Sequence, residues 1–314
     1  MSEYNLALAL GGGGVRCMAH VGVFKALEEQ GIKPDLIVGS SIGSVVGGVY
    51  AYKNDTEFLN RFALKFSNNP VVNTIERSLT TNPKSLISKV TSFFSFGLGF
   101  VYAFWNQGFI SERLVKRAYK DVVGKGVLSS RQFYLENSTI PFAALATDII
   151  SGSAVIITKG DIPKAMYASS AMPGVCKPAD YMDIHLMDGG IISILPIMAA
   201  HILGAKKIIA IDTEAEIKGF RYNNALEALD IGSTIRGYRW NILERSLADM
   251  VISPPGIKGY DWYRFSKASV CMDAGYSVIT ERINEIKEIT GGSSDKGKQD
   301  LRVLLEKFYP YSII

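Results

Sequence analysis

Short apolar runs alternate with amphipathic segments through the first fifty residues of the chain. Residues 4–10 form an apolar run that ends in four glycines, as buried strands of parallel sheets often do. Over residues 19–30 apolar positions recur at helical spacing, and Gly31 follows as a C-terminal cap. Residues 36–38 predict a second strand, which leads into a helix that runs to about Tyr52. This order predicts two consecutive βα units.

The same alternation resumes after residue 140. The apolar runs predict strands at 141–148 and 154–158, one that ends at Met187, and two more at 207–212 and 250–253. Helical spacing and capping residues predict helices at 55–66, 111–123, 161–168, 196–203 and 224–247, further helices within 265–289, and an amphipathic helix through Phe308. Strands that alternate with helices are typical of an α/β fold.

Residues 93–105 differ from the rest of the chain because they are almost wholly apolar and aromatic and contain no charge. The run is too short for a bilayer span, which needs about 20 residues. One interpretation is a cap or lid that lines an acyl-chain pocket or dips into the membrane interface, where Tyr102 and Trp105 suit the headgroup boundary. The other is a core helix or hairpin of an inserted subdomain.

Composition excludes several classes of protein. A 314-residue chain with 47% hydrophobic and 20% charged residues is more apolar than an average soluble protein but does not approach a membrane-protein composition. The net charge of +4 is too small to indicate nucleic-acid binding, although it mildly favours an anionic membrane surface. Cys17, Cys176 and Cys271 are widely spaced, so neither a disulfide framework nor a zinc site is predicted. With its first apolar run too short for a signal peptide core, the chain is expected to be cytoplasmic.

The segment after the second predicted strand matches the pattern G-x-S-x-G at residues 39–43. A strand, a sharp turn and a helix, in that order, form a nucleophile elbow around such a serine. Gly39 and Gly43 let the backbone turn tightly enough to hold a hydroxyl at a helix N-terminus. The pattern alone occurs often by chance, but this context makes Ser41 the candidate nucleophile.

Four consecutive glycines at 11–14 follow the first strand. The dinucleotide-binding pattern G-x-G-x-x-G fails, because its sixth position is Arg16 or Cys17, and no Gly-Lys-Ser/Thr follows for a phosphate-binding loop. The remaining use of such a loop is to offer backbone N–H groups to a negative charge that develops during a reaction. A tight turn with no chemistry is the alternative.

The best candidate for a general base is Asp188, which follows an apolar strand and precedes two glycines. Open α/β sheets place their sites at such strand ends, although a turn is the commonest role of Asp-Gly-Gly. The order of the α/β-hydrolases would add His201 as a third member. Only one full strand precedes the elbow strand, and His201 lies in a predicted helix, so both features argue against that triad. We expect His185 at a strand end and His20 in the packing of the first helix.

Five blocks together resemble the patatin-like phospholipases in order and spacing. They are Leu-Ala-Leu-Gly-Gly-Gly-Gly-Val-Arg at 8–16, the elbow at 39–43, Ala-Thr-Asp at 146–148, Ala-Ser-Ser-Ala-Met-Pro at 168–173 and Asp-Gly-Gly at 188–190. The resemblance covers most of residues 4–213. It implies a Ser-Asp dyad without histidine, a glycine-loop oxyanion hole, and hydrolysis of acyl esters in phospholipids or lysophospholipids.

Carried over by position, Ser41 would attack the ester carbonyl, and Asp188 would take its proton and later activate water. Backbone N–H groups around Gly12, Gly13 and Gly14 would hold the oxyanion. The dyad requires hydrogen-bond contact, because a solvated carboxylate with a pKa near 3.9 is a poor base. We expect neither a metal nor another cofactor.

The supporting residues implied by the resemblance are Gly39, Gly43, Gly189, Gly190 and Arg16. Arg16 matches the basic residue of the family's glycine loop, where it would steady the loop, meet a phosphate or form a structural ion pair.

Two positions depart from the family's pattern. Cys17 stands where another glycine often follows the basic residue, and residues 193–196 (Ser-Ile-Leu-Pro) lack an asparagine frequently seen before the matching proline. Both departures bear on substrate range more than on the dyad.

We therefore expect a three-layer α/β/α domain with a mainly parallel central sheet over residues 1–314, with its core at 4–213. A lid or cap insertion is predicted at 67–110, and a helical region at 224–314 is expected to pack on the core. The expected function is serine lipid acyl hydrolysis on a phospholipid or lysophospholipid, peripheral to a membrane surface. Acyl transfer and an inactive lipid-binding protein are the alternatives, and a nucleotide-binding protein is a distant one.

Overall fold

The computed structural model describes residues 3–70, 72–73, 76–77, 133–215, 225–292 and 296–314. Of the lid or cap predicted at 67–110, residues 67–70, 72–73 and 76–77 are described and the rest lies outside the described ranges. The apolar run at 93–105 and the helix predicted at 111–123 lie wholly outside them.

The regular elements of the described residues follow the predicted alternation. The strands are β1 (Tyr4–Leu10), β2 (Leu36–Ser40), β3 (Phe142–Asp148), β4 (Ala154–Ile157), β5 (Ala179–Tyr181), β6 (Ile184–Asp188), β7 (Ala205–Ile211), β8 (Met250–Ile252) and β9 (Tyr311–Ile313). The helices are α1 (Ala19–Glu29), α2 (Ile42–Lys53), α3 (Thr56–Ser67), α4 (Ile162–Ser170), α5 (Ile197–Ile202), α6 (Ala225–Leu247), α7 (Ala268–Glu281), α8 (Ile283–Gly291) and α9 (Lys296–Glu306).

These strands form one sheet in the order β5-β6-β3-β2-β1-β7-β8, and β4 joins β3 to β9. The pairs that β1 forms with β2 and β7 are parallel, as are β2 with β3, β7 with β8 and β4 with β9. The antiparallel pairs are β3 with β4, β3 with β6 and β5 with β6. The prediction of a mainly parallel central sheet is confirmed.

Alternate residues of the strands face two separate cores. Leu8 and Leu10 of β1 pack with α1, α2, α3, α4 and α7, whereas Ala7 and Ala9 pack with α5 and the end of α6. Because successive side chains of a strand point to opposite faces, the sheet is covered on both sides. The three-layer α/β/α architecture is confirmed.

Some elements differ from the prediction. The three-residue strands β5 and β9 were not predicted, because each contains a polar residue and neither forms the apolar run that made β8 visible. Helix α6 continues through Gly232 and Gly237, and the region predicted at 265–289 divides into α7 and α8 at Arg282. Of the helices in the described ranges, none has the length and apolar character to cross a membrane.

Strand β3 brings the ends of two other strands together. Leu145 pairs with both β2 and β4, and Ala146 pairs with both β6 and β4. Strands β2 and β6 therefore share the edge of β3 that lies opposite β4. They run in opposite directions, so their carboxyl ends meet, with Ser40 opposite Leu145 and Asp188 opposite Ala146. The residue after Ser40 is thereby placed next to Asp188.

Candidate active site

Ser41 occupies a sharp elbow between β2 and α2. Its φ of 52° and ψ of −133° lie outside the regions that non-glycine residues prefer, and such strain costs about 1–3 kcal/mol. A Cβ on Gly39 would lie 2.4 Å from the Cα of Ser44, and one on Gly43 would lie 2.5 Å from the Gly11 carbonyl oxygen. Both flanking glycines are therefore required by close backbone packing.

The hydroxyl of Ser41 donates a hydrogen bond of 2.7 Å from Oγ to Oδ2 of Asp188. The other carboxyl oxygen, Oδ1, accepts the backbone N–H of Gly190 at 2.7 Å, and Thr147 Oγ1 donates to the Asp188 backbone carbonyl at 3.0 Å. A Cβ on Gly189 would lie 2.3 Å from a β3 carbonyl oxygen. These contacts orient the carboxyl group toward the serine.

The environment of Asp188 changes its acidity. The residue is only 8% exposed, and burial raises the pKa of its carboxyl to about 6, against hydrogen bonds from Gly190 and Ser41 that lower it. A carboxylate with this pKa is a stronger base than a solvated one near 3.9, yet it is mostly ionised at pH 7. Burial therefore suits this group to proton transfer from a neighbouring hydroxyl.

Ser169 at the end of α4 holds the elbow from the other side. Its Oγ donates to the Leu145 carbonyl at 2.6 Å and accepts the backbone N–H of Ser41 at 3.1 Å. Ser44 Oγ donates to the Ser41 carbonyl at 2.7 Å. Ser169 belongs to the block at 168–173 that resembles the family, but the sequence assigns it no role, because its hydrogen-bond partners are distant along the chain.

The glycine loop lies beside the elbow. A Cβ on Gly12 would lie 2.9 Å from the Ser41 Cβ. The N–H of Gly12, one of the three predicted oxyanion donors, instead donates to the Ile194 carbonyl at 2.9 Å. Gly13 and Gly14, at φ of 144° and 62°, donate no backbone hydrogen bond within the described ranges. The available donors of the loop are therefore Gly13 and Gly14.

Arg16 is buried behind this loop. Its Nε donates to the Thr213 carbonyl at 2.9 Å, and Nη1 donates to the Tyr260 carbonyl. No carboxylate of the described residues lies within ion-pair distance, and burial lowers the pKa of the guanidinium group. Of the three roles considered for Arg16, this geometry supports the steadying of the loop by hydrogen bonds to backbone carbonyls.

His201 does not join Ser41 and Asp188. It lies in α5, where Nε2 is 3.5 Å from a carboxyl oxygen of Glu306. None of the described hydrogen bonds of Ser41 and Asp188 involves a histidine. The chain order Ser, Asp, His therefore does not assemble into a hydrogen-bonded triad here.

The other two histidines lie where the sequence predicted them. His20 is buried in α1, where its Nε2 bonds to the Gly11 carbonyl at 2.8 Å and burial lowers its pKa to about 4. His185 lies at an exposed hairpin, with Nδ1 2.7 Å from Asp180 Oδ1. Over the described residues, no group of three or more His, Cys, Asp or Glu side chains could hold a metal ion.

Fold and geometry together define an α/β protein in which a strained serine contacts a buried carboxylate beside a glycine loop. Residues 8–201 match the family model described as patatin-like phospholipase. The chain belongs to this family.

The relatives that the chain matches are longer proteins, of which the match covers only a part. The chain is 30% identical over 218 residues to an uncharacterized NTE family protein of Mycobacterium tuberculosis, which covers 69% of this chain and 51% of that protein. It is 32% identical over 213 residues to patatin-like phospholipase domain-containing protein 6 of Homo sapiens, which covers 67% of this chain and 13% of that protein. The chain thus spans about half the length of the mycobacterial relative and a smaller part of the human one.

Two solved structures are similar at low identity. VipD from Legionella pneumophila superimposes with a TM-score of 0.45 at 9% identity, covering 90% of this chain and 67% of that one. The type III effector protein ExoU gives a TM-score of 0.41 at 13% identity, covering 90% and 53%.

Proposed function

We propose that this protein is a serine lipid acyl hydrolase that cleaves acyl esters of phospholipids or lysophospholipids. The observation that carries the proposal is the 2.7 Å hydrogen bond from Ser41 Oγ to Asp188 Oδ2 at a strained elbow. Family membership supports a lipid ester as the substrate class. The net charge of +4 and the lipid substrate support peripheral association with an anionic membrane.

In the first half of the reaction, Ser41 Oγ bonds to the ester carbonyl carbon while its proton passes to Asp188. The carbonyl oxygen becomes an oxyanion, for which Gly13 and Gly14 offer backbone N–H groups. When the oxyanion collapses, the bond to the alcohol oxygen breaks, and Asp188 returns the proton to that leaving alcohol. The products are an acyl-enzyme ester on Ser41 and a free alcohol.

In the second half, Asp188 takes a proton from water as the water oxygen bonds to the acyl carbon. Collapse of the second oxyanion breaks the bond to Ser41 Oγ, which recovers its proton from Asp188. The fatty acid leaves and both residues return to their starting state. A single carboxylate thus serves as base and then acid in each half.

A fluorophosphonate probe and a lipid panel test this proposal. We expect the probe to label the parent protein and not Ser41→Ala, and we expect fatty acid release from phospholipids or lysophospholipids to exceed release from neutral esters. Equal labelling of Ser41→Ala would contradict the nucleophile assignment. Vesicle binding without hydrolysis would identify an inactive lipid-binding protein, and new diacyl product from a lysolipid acceptor would identify acyl transfer.

The pH dependence of turnover tests the role of Asp188 separately. Burial raises the pKa of this carboxyl to about 6, and only the ionised form can accept the serine proton. We therefore expect kcat/KM on a soluble ester to fall about tenfold per pH unit below about 6 and to level off above about 7. A profile that stays flat down to about pH 4 would mean that Asp188 is not the titrating base.

A further inference from the structure

Residues 193 and 194 connect three parts of the active site. The Ser193 carbonyl accepts the Ser40 hydroxyl at 2.9 Å, and the next carbonyl, that of Ile194, accepts the Gly12 N–H at 2.9 Å. The Ser193 N–H donates to the Gly189 carbonyl at 2.9 Å. Two successive carbonyls therefore join the elbow strand to the glycine loop, and the same segment is joined to the motif that carries Asp188.

The side chain of Ser193 is held by a carboxyl group from α6. Ser193 Oγ lies 3.0 Å from the Leu195 carbonyl oxygen and also forms a short hydrogen bond with Oε2 of Glu244. Glu244 Oε1 accepts the backbone N–H of Met198 at 3.2 Å. Ser193 is 1% exposed and Glu244 is fully buried. The two side chains thus form a buried polar contact, next to the side chains of Trp240 and Tyr309.

The number of hydrogens in this contact bears on the charge of Glu244. The Ser193 hydroxyl has one proton, and the Leu195 carbonyl can only accept. Both contacts are satisfied at once when Ser193 donates to Leu195 and Glu244 donates from Oε2 to Ser193 Oγ, an arrangement that a protonated carboxyl group permits.

The surroundings of Glu244 agree with this arrangement. No Lys, Arg or His nitrogen of the described residues lies within ion-pair distance of its carboxyl, and an unpaired buried carboxylate is costly. Burial raises the pKa of Glu244 to about 8, despite hydrogen bonds that lower it. The neutral acid is thus the favoured form at neutral pH.

We propose that Ser193, held by the protonated carboxyl of Glu244, is a positioning residue that fixes the nucleophile elbow and the glycine loop relative to each other. The inference rests on the proposed function, because the two elements it joins carry Ser41 and the oxyanion donors. Residues 193–196 are also where the chain lacks the asparagine frequently seen in the family. The contact with Glu244 is how this chain holds that segment.

Three variants of the full chain test the proposal: Glu244→Gln, Glu244→Leu and Ser193→Ala. In Glu244→Gln, the amide nitrogen can donate to Ser193 and the amide oxygen can accept from Met198, so we expect fluorophosphonate labelling rate and kcat within about threefold of the parent. In Glu244→Leu and Ser193→Ala we expect both to fall about tenfold or more, because small displacements of reacting groups are costly. KM on a soluble ester is expected to stay within about threefold.

The three variants distinguish a positioning role of Ser193 and Glu244 from other roles. If Glu244→Gln is as slow as Glu244→Leu, the group acts as a carboxylate and the inference is wrong; if Ser193→Ala reacts at the parent rate, Ser193 does not position the site. Ser193→Ala also decides the matter should Glu244→Leu not fold, as thermal unfolding would reveal. Failure of the proposed function appears separately, as a parent protein that is not labelled at Ser41. In that case hydrogen exchange at the Gly12 amide gives the same test, with faster exchange expected in Ser193→Ala and parent-like exchange in Glu244→Gln.

Discussion

Asp188→Asn is expected to lower kcat about 1,000-fold and to leave the fold intact. Asparagine has nearly the same shape, but with its oxygen on the Gly190 side its amide nitrogen faces Ser41, to which it can only donate, and it cannot take a proton at neutral pH. The hydrogen bond from Gly190 to Oδ1 can then persist with an amide oxygen. The loss would therefore report proton transfer and not displacement of the elbow. Steady-state turnover of a soluble ester measures it.

His201→Ala is the matched control for this prediction. His201 contacts Glu306 in α9 and not the dyad, so we expect turnover within about twofold of the parent. A large loss in His201→Ala together with a small one in Asp188→Asn would mean that histidine is the base. The double variant Ser41→Ala/Asp188→Asn is expected to lose no more than Ser41→Ala alone, because residues that act as one unit are not additive.

The pKa of Asp188 also predicts the direction in which Asp188→Asn changes the stability of the fold. The folded-state pKa of about 6 lies above the ordinary value of 3.8, so the protonated form is the one that the fold favours. Its contribution to stability is present below about pH 4 and is lost as pH rises through about 6. At pH 7 the ionised group therefore costs on the order of 1–3 kcal/mol. Asp188→Asn removes that charge, so we expect its unfolding midpoint in urea to be no lower than the parent's.

A feature of this site can be predicted from the sequence when the residues that determine it are close together along the chain. Strand, glycine loop and helix are encoded within a few residues, so the elements around Ser41 were predicted correctly. The contact between Ser41 and Asp188 spans 147 positions, and nothing local encodes it. It arises because β2 and antiparallel β6 meet on one edge of β3, a register that depends on distant pairing. The strand-end position of Asp188 and the family resemblance both pointed to the pair, but neither gives the register that joins them.

Other features lay beyond sequence reasoning for similar reasons. Glutamate on a long helix usually faces water, so the burial of Glu244 becomes visible only when α6 packs against Ser193. The pattern at 11–14 predicts a loop rich in backbone donors, but it does not tell which N–H is already bonded. The Ile194 carbonyl, about 180 positions away along the chain, already accepts the Gly12 N–H and so removes Gly12 from the available donors.

Gly14→Ala is expected to lower kcat at least about 100-fold and to destabilise the fold. Gly31→Ala is expected to destabilise the fold less and to leave kcat unchanged. Both glycines have left-handed backbone angles, with φ of 62° and 68°. A side chain there costs about 1–2 kcal/mol at either position. The two differ in space: a Cβ on Gly14 would lie 2.2 Å from the Trp262 carbonyl oxygen, whereas one on Gly31 meets nothing within 4 Å.

The clash at Gly14 is expected to affect catalysis, because the Trp262 carbonyl also accepts a hydrogen bond from the residue that follows Gly14. It accepts the Val15 N–H at 2.8 Å, so relieving the clash is expected to move the backbone of Gly14 and Val15, and with it the N–H groups proposed as oxyanion donors. Gly31→Ala carries only the backbone strain, so its urea unfolding should lose about 1–2 kcal/mol with turnover unchanged. Turnover and fluorophosphonate labelling of both variants provide the comparison. A Gly14→Ala protein that turns over like Gly31→Ala would exclude this loop as the source of the oxyanion donors.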